Sequence, residues 1–350
     1  MKFPVRVLAA SSFIFGVARS WELDASCTKD ESTANMVNDA METAFEMAQT
    51  SLTALENEMS DQYVSDVFKW LFFRDNETPD INSMTSVRFT LNGIINMRTK
   101  VDKAKFGDVK VYCDMSRFGD DPRKKDGKWY DEDIEYAIDP KTEVEWKDCK
   151  SALPTTFAYT HNPVGKVSQI QICPWFINYA KGKKYNTWTD VQKKTKIFKW
   201  SVPKLDGGWP LTPVDSAALL EKVLLHELSH TNSAGQNVDV GGGTSPPFFG
   251  PRYGWNECRK LAQKGPNPNK PIEAPQRNAD SYGLLGSAMR FYHDTQSSVR
   301  VAVDGKFENK PQSENKNKRW PDLVDTRFSY DKRFAEPGRF VKVVKAEAVV

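Results

Sequence analysis

Apolar residues recur at helical spacing in three parts of the chain. Residues 32–59 are predicted to form an amphipathic helix that continues over residues 61–73, because apolar side chains stand three or four positions apart, as in Met36, Ala40, Ala44 and Met47. Residues 212–230 carry a stronger apolar pattern, which opens with a threonine able to cap a helix and a proline suited to its first turn. A third helix is predicted over residues 277–293. The chain is therefore expected to have a mainly helical body.

Two shorter segments, residues 109–114 and 167–173, alternate or run apolar in the way that β-strands do. The charged stretch between them, residues 120–150, is interpreted as solvated surface. Residues 237–251 hold three consecutive glycines and three prolines and are predicted to form a loop. Together these patterns predict an α+β fold, in which a small sheet from residues 109 to 175 accompanies the helical body.

Both ends of the chain differ in composition from its middle. Residues 1–20 begin with basic residues, continue with a short apolar run and end with small residues before the cleavage site. This pattern is typical of a secretory signal peptide cut after Ser20. Residues 296–350 are rich in Asn, Lys, Pro and Glu, and we expect a C-terminal extension that is partly disordered or packed on the surface. Residues 21–295 are therefore predicted to form one domain.

The charge balance limits the classes of molecule that the chain is expected to bind. The signal peptide holds three basic residues and no acid, so its removal leaves 46 basic groups (49 minus 3) against 46 acidic ones. A chain without basic excess is not expected to bind nucleic acid. No apolar run approaches the roughly 20 residues that cross a bilayer. We expect a secreted, extracellular protein without nucleic-acid or membrane partners, and its oligomeric state stays open.

Five cysteines follow the signal peptide: Cys27, Cys113, Cys149, Cys173 and Cys258. None belongs to a CxxC pair, so disulfide bonds are expected in an exported chain rather than a cysteine zinc site. The odd number leaves one cysteine unpaired or paired between chains. Cys149 and Cys173 would close a short loop, although the sequence alone does not determine the pairing.

The predicted helix at residues 212–230 ends in the sequence HELSH. His226 and His230 stand four residues apart, so their imidazoles lie on one helix face and can bind the same zinc ion. An accidental combination at a helix end is the alternative, but burying two imidazoles and a carboxylate without a partner costs several kcal/mol. Glu227 lies between the two ligands. It is the candidate general base, and later the acid, in peptide-bond hydrolysis by zinc-activated water.

A catalytic zinc ion usually has three protein ligands, and the HELSH motif supplies only two of them. The third ligand is another residue, water, or absent. Asp239 follows His230 by nine residues, and Asp280 lies in the sequence NADSY. His161 and His293 are far from the motif in sequence. Both aspartates remain candidates on these grounds.

The HELSH motif, Tyr253-Gly254 and the NADSY stretch at residues 278–282 follow one another in the order found in the deuterolysins. Over residues 155–295, its best-supported part, the chain resembles this family of secreted fungal zinc metalloendopeptidases, the aspzincins. The resemblance implies a zincin-like fold and one Zn²⁺ held by HExxH plus an aspartate. It also implies that Tyr253 donates to the oxyanion of the reaction, for which a role as a core tyrosine is the alternative.

The resemblance departs from the family at the third ligand. The family aspartate stands three positions before the tyrosine, where this chain has Gly250. Asp239 keeps the family distance after His230 if residues 241–250 are an insertion. Asp239 is therefore the preferred third ligand, and Asp280 is the alternative ligand or a residue of the site wall.

These observations favour a secreted zinc metalloendopeptidase that acts on protein or peptide substrates. The second hypothesis is a secreted zinc-binding protein of the same fold without protease activity, such as a metal-scavenging or host-surface-binding protein. The altered surroundings of Gly250 favour this alternative, and the intact Glu227 opposes it. A structural or lectin-like module would explain neither the histidines nor the apolar helix.

Overall fold

The computed structural model describes the chain between residues 20 and 311, with several gaps. The described segments are residues 20–100, 108–118, 130–138, 140–151, 156–182, 212–216, 220–241, 253–294 and 297–311. The signal peptide predicted at residues 1–20 lies outside them except for Ser20, which begins the first strand. Most of the predicted C-terminal extension also lies outside the described residues.

The amphipathic helices of the described segments bury one apolar face. Helix α2 (Glu31–Asn57) illustrates the pattern, because Asp30 caps its N-terminus by accepting a hydrogen bond from Ser32 N, and its buried residues are mainly alanines and methionines with other apolar side chains. The helices are α1 (Ala25–Thr28), α2 (Glu31–Asn57), α3 (Gln62–Phe72), α4 (Thr85–Ile95), α5 (Pro140–Cys149), α6 (Pro174–Gly182), α7 (Pro213–Ser216), α8 (Leu220–His230), α9 (Trp255–Lys264) and α10 (Ala279–His293). The periodicity-based prediction of helices near residues 32–59, 61–73 and 277–293 is therefore confirmed.

Helices α2, α8 and α10 pack against one another and form the centre of the body. Gly286 of α10 permits their close approach, because a Cβ at this position would lie 2.4 Å from Leu225 Cδ2 and 3.1 Å from Met47 Cβ. Leu224, Leu225 and Leu228 of α8 are fully buried in this contact. The helix that carries the HELSH motif is thus held by packing on most of its sides. Residues 217–219 of the predicted helix lie outside the described segments.

A five-stranded sheet completes the main core. Its strand order is β2 (Thr99–Lys100), β1 (Ser20–Leu23), β3 (Val109–Tyr112), β7 (Ser168–Ile172) and β6 (Ala158–His161). All neighbouring strands are parallel except β6, which runs antiparallel to β7. Two further pairs lie outside this sheet, β4 (Tyr130–Asp131) with β5 (Tyr136–Ala137) and β8 (Val299–Val301) with β9 (Phe307–Asn309). The fold is α+β, as the sequence predicts, and the strands at residues 109–114 and 167–173 are confirmed.

The predicted extent of the sheet, residues 109 to 175, is too narrow. β1 and β2 stand well before this range, yet both pair into the same sheet. β2 has only two residues, too few to show an alternating pattern, and β1 begins at Ser20, where the sequence indicates the end of a signal peptide. Ser20 N also donates to Asp108 Oδ1 (2.9 Å), which anchors the start of β1 beside β3.

The two faces of the sheet differ in polarity. Ile170 and Ile172 of β7 face the apolar core, whereas Gln169 and Gln171 face a buried polar layer. In that layer Arg117 Nε donates to Asp131 Oδ2 (2.7 Å), and both side chains are almost fully buried. Asp131 belongs to the charged stretch interpreted as solvated surface, and this interpretation is wrong for it. A charged residue gains a buried position here because Arg117, 14 residues earlier in the chain, pairs with it.

The β8–β9 hairpin packs on α10, and the described residues up to Lys310 belong to one compact unit. Tyr63 OH donates to Val301 O and accepts from Val301 N, both at 3.0 Å. Trp255 Nε1 donates to Val303 O in the hairpin turn (2.9 Å). The hairpin lies within residues 296–350, where a partly surface-packed extension is predicted, and its Val301 is fully buried.

Two disulfide bonds join Cys27 to Cys113 and Cys149 to Cys173, and Cys258 is a buried cysteine that takes part in neither bond. Four of the five cysteines are thus paired within the chain. Two disulfides are consistent with an extracellular protein.

In the part of the chain that the structure describes, no helix is both long enough and apolar enough to span a membrane.

Candidate metal centre

Helix α8 presents its two histidines side by side at its C-terminal end. His226 Nε2 and His230 Nε2 lie 3.1 Å apart, and the two rings meet edge to face. The spacing of four residues puts both imidazoles on one face, while the buried leucines of the opposite face hold the helix in place. Both histidines are buried, with 8% of each residue accessible.

The chain reverses direction after α8 and brings Asp239 back to the histidines. Gly235 and Gln236 have positive φ angles (91° and 55°) and form this reversal. Val238 then pairs with Asn278 at the start of α10, which fixes the returning segment. Asp239 Oδ1 consequently lies 3.1 Å from His226 Nε2 and 3.3 Å from His230 Nε2.

The donor set fits a zinc ion. Ligand atoms at about 2.0–2.1 Å from a tetrahedral zinc stand roughly 3.3–3.4 Å apart, close to the separations among His226, His230 and Asp239. Asp239 Oδ1 is buried and receives no hydrogen bond within the described segments. Each histidine also has an acceptor at its other ring nitrogen, since His230 Nδ1 lies 2.7 Å from Asn237 O and His226 Nδ1 lies 3.4 Å from Asp280 Oδ1. The two Nε2 lone pairs and the free carboxylate oxygen therefore converge on one point.

The electrostatics of this group favour a cation. Burial alone would lower the pKa of His226, but Asp239 and Asp280 outweigh it and raise that pKa to about 10. Burial is likewise outweighed at His230, whose pKa Asp239 raises. The two histidines in turn hold the pKa of Asp239 well below its usual range, against the effect of burial. The site therefore attracts positive charge, which either protons or a divalent metal ion can supply.

Glu227 is oriented by the edge strand β6. Thr160 Oγ1 lies 2.7 Å from Glu227 Oε2 and 3.0 Å from the Glu227 backbone oxygen. Thr160 is paired with Ile170, so it lies on the sheet face that meets the helical body. Asn162, just beyond the strand, donates from Nδ2 to His230 O (2.8 Å) at the end of α8. The strand therefore holds both the candidate base and the end of its helix.

Asp280 lies behind His226 instead of beside the converging atoms. Its Oδ1 contacts the Nδ1 side of the ring, opposite to the Nε2 atom that faces Asp239. Its Oδ2 accepts a hydrogen bond from Gly254 N (2.6 Å). Asp280 therefore forms part of the wall, and the group of potential ligand atoms in the described segments consists of His226, His230 and Asp239.

Tyr253 lies near His226, with 5.7 Å between the ring centroids, and 37% of the tyrosine is accessible. Desolvation on its buried side, together with the negative charges of Asp239 and Glu227, raises the pKa of Tyr253 well above its ordinary value. The phenol therefore keeps its proton near neutral pH and remains a hydrogen-bond donor. Its role toward a reaction oxyanion stays a prediction.

The other two histidines of the chain are not part of the site. His161 Nδ1 is hydrogen-bonded to Thr142 Oγ1 (2.9 Å), and His293 Nε2 lies 3.5 Å from Glu58. Thr160 and Lys222 belong to the surroundings of the site, but the sequence does not reveal them. Thr160 is separated from Glu227 by 67 residues, and no local sequence pattern predicts a contact between residues so far apart in the chain.

No protein-family model matches the chain, and comparisons with curated proteins and with solved structures found no match either.

Proposed function

We propose that the chain is a secreted zinc-dependent endopeptidase. The observation that carries this proposal is the convergence of His226 Nε2, His230 Nε2 and Asp239 Oδ1 within 3.3 Å of one another, next to Glu227. Such a two-histidine, one-carboxylate set leaves one position of a tetrahedral zinc open for reaction. The resemblance to the aspzincins in HELSH and NADSY supports the same activity.

His226, His230 and Asp239 would hold the zinc ion in this site. When bound, zinc supplies the Lewis acidity that makes water a nucleophile near neutral pH and polarises a carbonyl group. Glu227, one residue from His226 and held by Thr160, takes the proton of the attacking water and returns it to the leaving amine. Tyr253 keeps its phenolic proton and can donate to the carbonyl oxygen as negative charge develops there.

The position of β6 supports an extended peptide as the substrate. β6 is an edge strand of the sheet in the described segments, and it lies against α8. An edge strand can bind an extended peptide through backbone hydrogen bonds. A peptide bound along β6 would pass the side chain of Glu227, because Thr160 of this strand contacts that carboxylate.

The proposal is tested with the purified protein in a casein hydrolysis assay. We expect one bound zinc ion per chain by mass spectrometry of metals, casein cleavage that a chelator abolishes, and recovery when zinc is restored. Glu227→Gln should keep the zinc and lose about 10²- to 10⁴-fold in activity, because the general base is removed while the ligands remain. Glu273→Gln is the matched control, since Glu273 pairs with Lys270 in a different part of the surface.

The outcomes separate the two functional hypotheses. Zinc bound without chelator-sensitive cleavage would favour the non-proteolytic zinc-binding protein. Equal cleavage by the wild type and Glu227→Gln would show that Glu227 is not the base. A chain that binds no zinc would contradict both hypotheses.

A further inference from the structure

Lys222 is a buried lysine one helical turn before His226 on α8. Only 8% of the residue is accessible, although lysines are almost never buried without a partner. Its Nζ lies 3.5 Å from Asp280 Oδ1. Burial alone would lower the pKa of Lys222, but the charges of Asp280 and Asp215 outweigh this effect and raise the pKa. Lys222 is therefore a buried cation, and the proposed reaction does not use it directly.

Asp280 links this lysine to two parts of the site. Its Oδ1 contacts both Lys222 Nζ and His226 Nδ1, at 3.5 and 3.4 Å. Its Oδ2 accepts from Gly254 N at 2.6 Å, and the buried thiol of Cys258 lies 3.8 Å away. One carboxylate thus contacts a proposed metal ligand and the backbone that directly follows Tyr253.

A second aspartate completes this arrangement at the start of α9. Asp215 Oδ1 accepts from Trp255 N (2.8 Å), so adjacent backbone N–H groups are bound by two carboxylates. Gly254 has φ +83°, and a Cβ there would lie 3.2 Å from Asp215 Oδ2. Two negative charges around one helix start would repel each other in a buried site, and the nearby Lys222 ammonium offsets this repulsion.

We propose that Lys222 is a positioning residue of the metal site, which fixes the Asp280 carboxylate so that it orients His226 through one oxygen and the Tyr253–Gly254 segment through the other. The proposal rests on the proposed function for its metal. Carboxylates that contact the second ring nitrogen of a ligand histidine set the ring orientation, and their loss typically weakens metal binding about 10- to 100-fold. Lys222 acts one step further out, through the carboxylate.

The test is a titration of the purified chain with Co²⁺ alone, which reports both affinity and ligand geometry through its visible absorption. We expect Lys222→Met and Asp280→Asn each to weaken Co²⁺ binding about 10- to 100-fold and to change the absorption spectrum. The double variant should bind Co²⁺ no more weakly than the single variant with the lower Co²⁺ affinity, because the lysine acts only through the aspartate. In casein assays, kcat should fall more than KM changes.

Two further variants keep the test decisive. Asp131→Asn breaks a buried ion pair in the layer beyond the sheet, so it should lose stability but keep the wild-type Co²⁺ affinity and spectrum. If Lys222→Met does not fold, Gly283→Ala takes its place in the test. The added Cβ would lie 3.1 Å from Lys222 O and 3.3 Å from Lys222 Cγ. It displaces the lysine while the charge stays, and a smaller change of the same kind is expected.

Unchanged Co²⁺ affinity and spectrum in Lys222→Met would overturn the proposal. A double variant whose loss of Co²⁺ affinity equals the product of the two single losses would overturn it as well. A wild type that binds Co²⁺ in the expected Lys222-dependent manner but cleaves no casein would contradict the peptidase and leave the positioning role standing. The two failures are therefore distinguishable.

Discussion

Asp239 provides the sharpest test of the metal centre, since it is the ligand that the sequence leaves most open. Asp239→Asn keeps the size of the side chain and removes its charge. Asp239 Oδ1 is one of three converging atoms, at 3.1 and 3.3 Å from the histidine nitrogens. Removing a residue behind a ligand typically costs about 10- to 100-fold in metal affinity, so the loss of a direct ligand should exceed about 100-fold.

This loss converts into a measurable change in thermal stability. Zinc at 100 times the wild-type Kd stabilises the folded chain by about 2.7 kcal/mol. A variant that binds at least 100-fold more weakly gains about 0.4 kcal/mol or less at the same zinc concentration. With roughly 2 °C per kcal/mol for a body of this size, zinc should raise the wild-type Tm by about 5 °C and that of Asp239→Asn by about 1 °C.

The assay is a pair of thermal unfolding scans, with zinc and with chelator, for each protein. Asp304→Asn is the control, because Asp304 is an exposed residue paired with Lys306 in the hairpin turn, and it should respond to zinc like the wild type. A zinc-induced Tm increase in Asp239→Asn equal to that of the wild type would refute the assignment of Asp239 as a ligand. If Asp280→Asn alone lost the response, the ligand would have to be sought behind His226.

Three further predictions concern the fold that carries the site. Replacing both Cys27 and Cys113 by serine should cost about 4–5 kcal/mol, because this disulfide closes a loop with a sequence separation of 86; a variant with wild-type stability in urea would contradict it. Gly93→Ala should destabilise by about 1–3 kcal/mol, since its Cβ would lie 2.3 Å from Ser233 O, and an unchanged Tm would show that the backbone yields there. Asp24→Ala removes an N-cap carboxylate, whose pKa is lowered by its hydrogen bonds despite burial, so the stability difference from wild type should be about 1 kcal/mol at pH 7 and shrink as the pH falls below 3.8; a constant difference would contradict this sign.

The metal site is predictable from sequence to the extent that its geometry is local. The spacing of His226 and His230 determines their common face, because the helix between them is regular. The position of Asp239 depends on a chain reversal at Gly235 and on the pairing of Val238 with the start of α10. The sequence therefore favours Asp239 only through its distance from His230, whereas the fold brings its carboxylate to the two rings.

Contacts between distant segments have no comparable signal in the sequence. Thr160 of strand β6 reaches Glu227 across 67 residues, and nothing in the four residues of this strand indicates that contact. The strand β2 has two residues, too few for a recognisable alternation, and β1 begins where the sequence indicates the end of a signal peptide. The helices α2 and α3 are long enough for the apolar spacing to repeat over several turns, so both helices are predictable from the sequence.

Buried charges are the second class of feature that the sequence conceals. Lys222 and Asp131 both look like surface residues, because burial of a single charge is unfavourable and the sequence does not show which residue pairs with each. Replacing such a pair by apolar residues is often neutral or stabilising, so a pair of this kind is weak evidence for stability. Arg117 and Asp131 form such a pair away from the metal centre, whereas Lys222 and Asp280 contact a proposed ligand. Variants of the two pairs, compared in one metal-binding experiment, would therefore distinguish a buried charge that serves the metal site from one that serves only the fold.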